Sequence, residues 1–139
     1  MPNRSSLAGR LSPIPLFIGS CLISLSGCGG HPSVTGSVKF PDGSPLTVGE
    51  VVLDNGSIMG RGSLDENGGF VIGFTRPGDG IPAGWYHVGI INASRAGMTD
   101  WLIDQKFLSP QTSGLRFKVS ADRKNELLIV VTPPGPKKR

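Results

Sequence analysis

Val48-Gly49-Glu50-Val51-Val52-Leu53-Asp54-Asn55-Gly56-Ser57-Ile58-Met59-Gly60-Arg61-Gly62-Ser63-Leu64 is the stretch that decides the fold. A β-branched, apolar run from Val48 to Asp54 reads as a strand with Val51 and Leu53 on its inward face. Asn55-Gly56 then supplies the two residues that tolerate positive φ in a tight hairpin turn. A second strand from Ser57 to Leu64 places Ile58 and Leu64 inward, with Gly60 and Gly62 between them. Glycines inside a strand weaken it and mark a bulge or a close approach of backbone.

The same grammar runs outward in both directions. Upstream, Val34, Gly36, Val38 and Phe40 alternate with Thr35, Ser37 and Lys39, and Pro41-Asp42-Gly43-Ser44-Pro45 turns the chain. Downstream, Asp65-Glu66-Asn67-Gly68 reads as the next hairpin turn. Strand four, Gly69 to Thr75, carries Phe70, Ile72 and Phe74 on one face. Arg76 to Gly84 is rich in Pro and Gly and reads as a crossover between sheets. Strand five spans Trp85 to Asn92, with Tyr86, Val88 and Ile90 on one face. Strand six spans Leu115 to Ser120, with Leu115, Phe117 and Val119 inward, and strand seven spans Glu126 to Thr132. No window holds an apolar stripe at helical spacing without a Gly or Pro break. The expectation is an all-β chain: a single seven-stranded antiparallel sandwich, transthyretin- or immunoglobulin-like, at residues 34–132.

The N-terminus is of another kind. Arg4 and Arg10 form a positive region without acids, Ile14 to Ser26 is largely apolar, and small residues precede Cys28. This is the pattern of a cleaved secretory signal, and its apolar run is short of the roughly 20 residues a spanning helix needs. Leu25-Ser26-Gly27-Cys28 resembles a bacterial lipobox, which implies a signal peptide at 1–27 and diacylation of Cys28. Cys21 follows a small residue too, but it sits within the apolar run. Each buried acyl methylene contributes about 0.8 kcal/mol, so two chains anchor a protein durably. Residues 28–33 then read as lipidated Cys and flexible tether. Gly29, where Asp would signal inner-membrane retention, favours the outer membrane. The expected location is periplasmic or cell-surface.

Charge excludes one class of partner. Of 14 Lys and Arg against 10 Asp and Glu, Arg4 and Arg10 lie in the leader. Lys137, Lys138 and Arg139 lie in a tail, 133–139, expected to be disordered. The body is therefore near neutral, without the basic stripe and interleaved aromatics of a nucleic-acid binder. Cys21 and Cys28 are the two cysteines, so the mature domain holds no internal disulfide.

Val34-Thr35-Gly36-Ser37-Val38 followed by Asp42-Gly43-Ser44-Pro45-Leu46 resembles the opening of carboxypeptidase regulatory-like, transthyretin-type domains. Asp65-Glu66-Asn67-Gly68-Gly69-Phe70 is similar to their central hairpin, and Ile81-Pro82-Ala83-Gly84-Trp85-Tyr86-His87-Val88 to a later strand. Lys106-Phe107 through Thr112-Ser113-Gly114-Leu115 resembles the C-terminal part of small planctomycete-type lipoproteins. The resemblance covers nearly the whole mature chain. It implies a prealbumin-like sandwich and no defined activity.

No enzymatic role is expected. There is no Gly-x-Ser-x-Gly elbow, phosphate loop or dinucleotide fingerprint. The chain lacks the C-terminal Tyr-Arg-Gly-Ser of transthyretin-like hydrolases. His31 and His87 have no ligand at metal spacing, and the Asp65 turn lacks the oxygens of a calcium loop. No cofactor or metal is expected. The leading expectation is a lipid-anchored envelope module with a structural or protein-interaction role. The alternative is a carbohydrate- or envelope-polymer-binding module using Trp85 and Trp101; a small hydrolase has no residue in its favour. The long irregular stretch from Ala93 to Gly114 carries Trp101, Leu102, Ile103 and Phe107, the candidate partner surface. The same four residues fit a loop folded over an open end of the sandwich. With one mature Cys and no ligand spacing, chelator plus reductant should leave the melting temperature unchanged; a fall of more than a few degrees would expose a site hidden to this reading.

Overall fold

The hairpin around Asn55-Gly56 is present in the structure, a computed structural model that describes residues 30–95 and 100–136. The Asn55 side-chain oxygen accepts from the amides of Ser57 and Ile58, and Asp54 accepts from Gly56. Gly56 turns at φ 92 while Asn55 does not take positive φ, so the strands are joined by a four-residue loop, Asn55 to Ile58, closed by the Asn55 amide on Ile58 O, and not by a two-residue turn. Cys28, the leader and the Lys137–Arg139 tail lie outside the described residues.

The strands in chain order are β1 (Val34–Lys39), β2 (Glu50–Asp54), β3 (Met59–Ser63), β4 (Gly69–Val71), β5 (Gly84–Ile91), β6 (Leu115–Val119) and β7 (Asn125–Val130). A single 3-10 turn at Gln105–Leu108 is the helical element among the described residues. One sheet has the order β4-β1-β7 and the other β3-β2-β5-β6. Their facing sides share one apolar core: Val34 and Val38 of β1, Val51 and Leu53 of β2, Phe70 of β4, Tyr86, Val88 and Ile90 of β5, Val119 of β6 and Ile129 of β7. The period-two reading of β1 to β6 put these side chains on the inward face and burial follows it, while Ile129 joins from β7, whose faces the sequence reading left unassigned.

Four features depart from the expectation. First, the sandwich is not wholly antiparallel: β1 and β7 run parallel, Val34 opposite Asn125 through Lys39 opposite Val130. A parallel pair needs a long connection, and the rest of the chain supplies it. Second, Asp65-Glu66-Asn67-Gly68 makes a local turn, with Asp65 accepting from Asn67 and Gly69. The strands it joins nevertheless go to different sheets. They touch at one bridge, Arg61 with Gly73, whose amides and carbonyls exchange bonds of 2.9 and 2.8 Å. A side chain at Gly60 would meet Ile72 and Ile81, and one at Gly62 the backbone of Val71. The two strand glycines therefore let one sheet edge close on the other.

Third, Phe74 is 41% exposed and outside the core. Beyond β4 the Ile72 amide still bonds Val34 O and the Gly73 amide turns to Arg61 O, and from Phe74 onward the amides are held by the Asp79 carboxylate, as described below. Phe40, Leu115 and Phe117 are only half-buried at the core's margin. Fourth, Leu46, Ile81, Ile103, Phe107 and Val131 are core residues, supplied by loops and strand ends. The connection after β5 delivers two of them. Leu102 donates to Ala93 O, Asp104 donates to Thr132 O, and Ile103 and Phe107 close the end of the sandwich. Ser109-Pro110 then passes so near Gly89 that a Cβ there would lie 2.5 Å from Pro110 N.

These positions separate two phenylalanines that look equivalent in sequence. Phe70→Ala should lose roughly 3–5 kcal/mol in denaturant unfolding, the usual cost of truncating a buried Phe. Phe74→Ala should stay within about 0.5 kcal/mol, as exposed sites do. Equal losses would contradict the observed faces.

Candidate functional site

The Arg76-to-Gly84 connection is organised by one side chain. Asp79 Oδ1 accepts from the Phe74 amide at 2.7 Å, and Oδ2 accepts from Arg76 and Thr75 at 3.0 and 3.2 Å. Donation by the Phe74 amide is the main reason the Asp79 carboxyl titrates below its ordinary value of 3.8; the Arg76 and Thr75 amides and the His31 charge act in the same direction. The chain is thereby bent away from β4, and Phe74 and Arg76 are held outward.

The residues before β1 are docked against this loop. Ile81 N donates to Pro32 O at 3.1 Å. The His31 ring meets Phe74 edge-on with centroids 5.7 Å apart. Gly80 has no room for a side chain beside the His31 and Pro32 carbonyls. The buried Asn125 side chain donates to Ser33 O at 3.2 Å and also joins Ser120 and Arg123. The tether expected over 28–33 is therefore fixed from His31 onward.

Beside this junction is a cleft of about 410 Å³, lined by Glu50, Met59, Arg61, Val71, Phe74 and Arg76 among others. It lies where β3 meets β4. Met59, Val71 and Phe74 are exposed apolar groups. The Arg61 guanidinium rests on the Met59 sulfur at 3.5 Å. Arg residues beside exposed apolar side chains are the composition of protein-contact surfaces. Neither arginine nor this cleft stood out in the sequence, because β3 and β4 become neighbours only across the two sheets. The strand glycines were the available signal.

The residues singled out from sequence do not form one site. Ile103 is 0% and Phe107 5% exposed, both within the core, and Leu102 is half-buried. Trp101, 37% exposed, is the member of that set left at the surface. Their placement fits the loop closing the sandwich end. Trp85 is 54% exposed on the outer face of β5, with the Arg116 guanidinium 4.9 Å from its ring. Trp85 and Trp101 lie on separate elements. His31 packs on Phe74 and His87 is exposed on β5. Among the described residues no group of three or more His, Cys, Asp or Glu is placed to hold a metal. Cys28 is outside the described residues. Compared with protein-family models, curated proteins and solved structures, the chain matches none.

A carboxylate held by amide donors stabilises its loop fully above the ordinary Asp range and loses that contribution as pH falls through its lowered pKa. The Phe74, Thr75 and Arg76 amide resonances should therefore shift together with a midpoint below the ordinary 3.8. In Asp79→Asn that titration should vanish. A common midpoint at or above 3.8 would contradict the assigned hydrogen bonds.

Proposed function

We propose that this chain is a lipid-anchored, extracytoplasmic β-sandwich module of transthyretin- or immunoglobulin-like kind, with a structural or protein-interaction role in the cell envelope. The lipobox-like Leu25-Ser26-Gly27-Cys28 supports export and anchoring, and the resemblance to small planctomycete-type lipoproteins agrees with it. The observation that carries the interaction role is the cleft of Arg61, Arg76, Met59, Val71 and Phe74 next to the docked tether. From Cys28 to His31 is three peptide steps, about 10 Å at full extension. An acylated Cys28 would therefore hold the cleft close to the lipid surface. The occupant that suits it is a protein segment with an acidic group for the arginines and an apolar one for Phe74.

A glycan-binding role is the second reading. It is supported by Trp85, whose ring is exposed on a strand beside Arg116, and by the stacking of sugars on aromatic faces. Arg116 lies over that ring and would have to yield. Envelope glycans should quench Trp85 fluorescence if this role is real, and Trp85→Ala should abolish the effect.

The anchor is tested first. Cys28→Ser should move the protein from the membrane to the soluble fraction or leave an uncleaved precursor. Membrane-purified protein whose mass shows an unmodified Cys28 would overturn the anchor. For the interface, a photo-crosslinker at Phe74 should capture one discrete envelope protein, and Arg61→Ala with Arg76→Ala should cut the yield at least several-fold. Equal yield in the double variant would remove the cleft from the interaction.

A further inference from the structure

The two sheets have four edge strands, and three are protected. The β3 and β4 edges close on each other through Arg61 and Gly73. The outward positions of β6 are Arg116 and Lys118, charges that discourage pairing with another strand. The β7 edge carries one outward charge, Glu126 at its start, and apolar side chains beyond it. Its outward side chains are Glu126, Leu128 and Val130, with Leu128 63% and Val130 50% exposed. Neither a proline nor a bulge interrupts it.

The backbone phase of β7 follows from two bonds. Val131 N donates to Lys39 O of β1, so odd-numbered β7 residues point their amides and carbonyls into the sheet. Thr132 O points the other way and accepts from Asp104 N. The even residues Glu126, Leu128 and Val130 therefore present N–H and C=O groups to the open edge. No described residue pairs with them there. Behind this edge the inward side chains Leu115, Phe117 and Leu127 are only half-buried, so the core itself reaches solvent on this side.

We propose that this edge is a self-association surface, on which β7 of a second copy pairs antiparallel about a two-fold axis at Leu128. Of the registers centred on an outward-facing residue, the other two fail on the residues present. Hydrogen-bonded pairs must be even with even. Centring on Glu126 sets two carboxylates face to face, which is destabilising. Centring on Val130 sets Leu128 opposite Thr132, whose carbonyl is occupied, and Glu126 opposite Pro134, which has no N–H. Centring on Leu128 places Leu128 against Leu128 and Val130 against Glu126 on each side. These are three pairs that each exchange two bonds, and the edge groups of Glu126, Leu128 and Val130 are all used. The interface is isologous, as a closed dimer requires. It leaves the cleft at the β3–β4 side open and does not depend on lipidation.

The test uses the full chain with Cys21→Ser and Cys28→Ser, so that introduced thiols stand alone. Light scattering should give twice the chain mass, and Leu128→Lys should halve it while the far-ultraviolet circular dichroism spectrum of the folded sandwich is kept and the melting temperature loses its dependence on protein concentration. Hydrogen-bonded antiparallel partners have Cα atoms about 5.5 Å apart, within disulfide reach. Leu128→Cys should therefore crosslink to itself on mild oxidation, and Lys118→Cys on β6 should not. A parent chain monomeric at high concentration would overturn the proposal. So would a dimer indifferent to Leu128→Lys, equal crosslinking from β6, or Leu128→Cys coupling in cells only to a different protein.

Discussion

The pairing of β1 with β7 is the contact on which the rest of the structure depends. β1 is the middle strand of its sheet, with β4 on one side and β7 on the other. Its partner β7 arrives from the far end of the domain. The three-stranded sheet is therefore incomplete until nearly all of the chain is in place. Loop closure of this length carries an entropy cost that only the finished core offsets. Asn125 reinforces the junction from β7, holding Ser33 just before β1 and both ends of the preceding turn.

That pairing also sets where chemistry is presented. It draws the residues before β1 down onto the Ile72–Ile81 connection, where Pro32 and His31 are bound. The Asp79 carboxylate shapes the same connection and holds Phe74 and Arg76 outward. The cleft, the tether and the Asp79 loop are one local arrangement. Past the Gly73 bridge, hydrogen bonds to a single charged side chain take up the amides of Phe74, Thr75 and Arg76. Charge-assisted bonds of this kind are stronger than neutral ones.

Sheet edges divide the molecule into two unlike sides. On one side, glycines at 60 and 62 allow β3 and β4 to meet, and the core is sealed. On the other, β6 and β7 leave the half-buried Leu115, Phe117 and Leu127 at the margin. Positive side chains guard β6, while β7 offers Leu128 and Val130. The long connection after β5 is spent on the remaining opening: Ile103 and Phe107 fill the sandwich end, and Trp101 is left at its surface.

Alternation, turn residues and the absence of helical spacing settled the all-β class, the places of the strands and most inward faces from sequence alone. These are local properties, set by side-chain period and by which residues accept positive φ. The lipobox-like motif and the neutral body are equally local. What the tertiary structure decided was non-local: the parallel β1–β7 pair, the assignment of β3 and β4 to different sheets, and the exposure of Phe74. Phe70, Ile72 and Phe74 share one period, but a carboxylate five residues beyond Phe74 competes for its amide, and periodicity carries no record of such a competitor. The Arg61–Arg76 cleft was invisible for the same reason: its two arginines become neighbours only when separate sheet edges close on each other. Ile103 and Phe107 read as interface or as loop packing until the open end they fill had been placed.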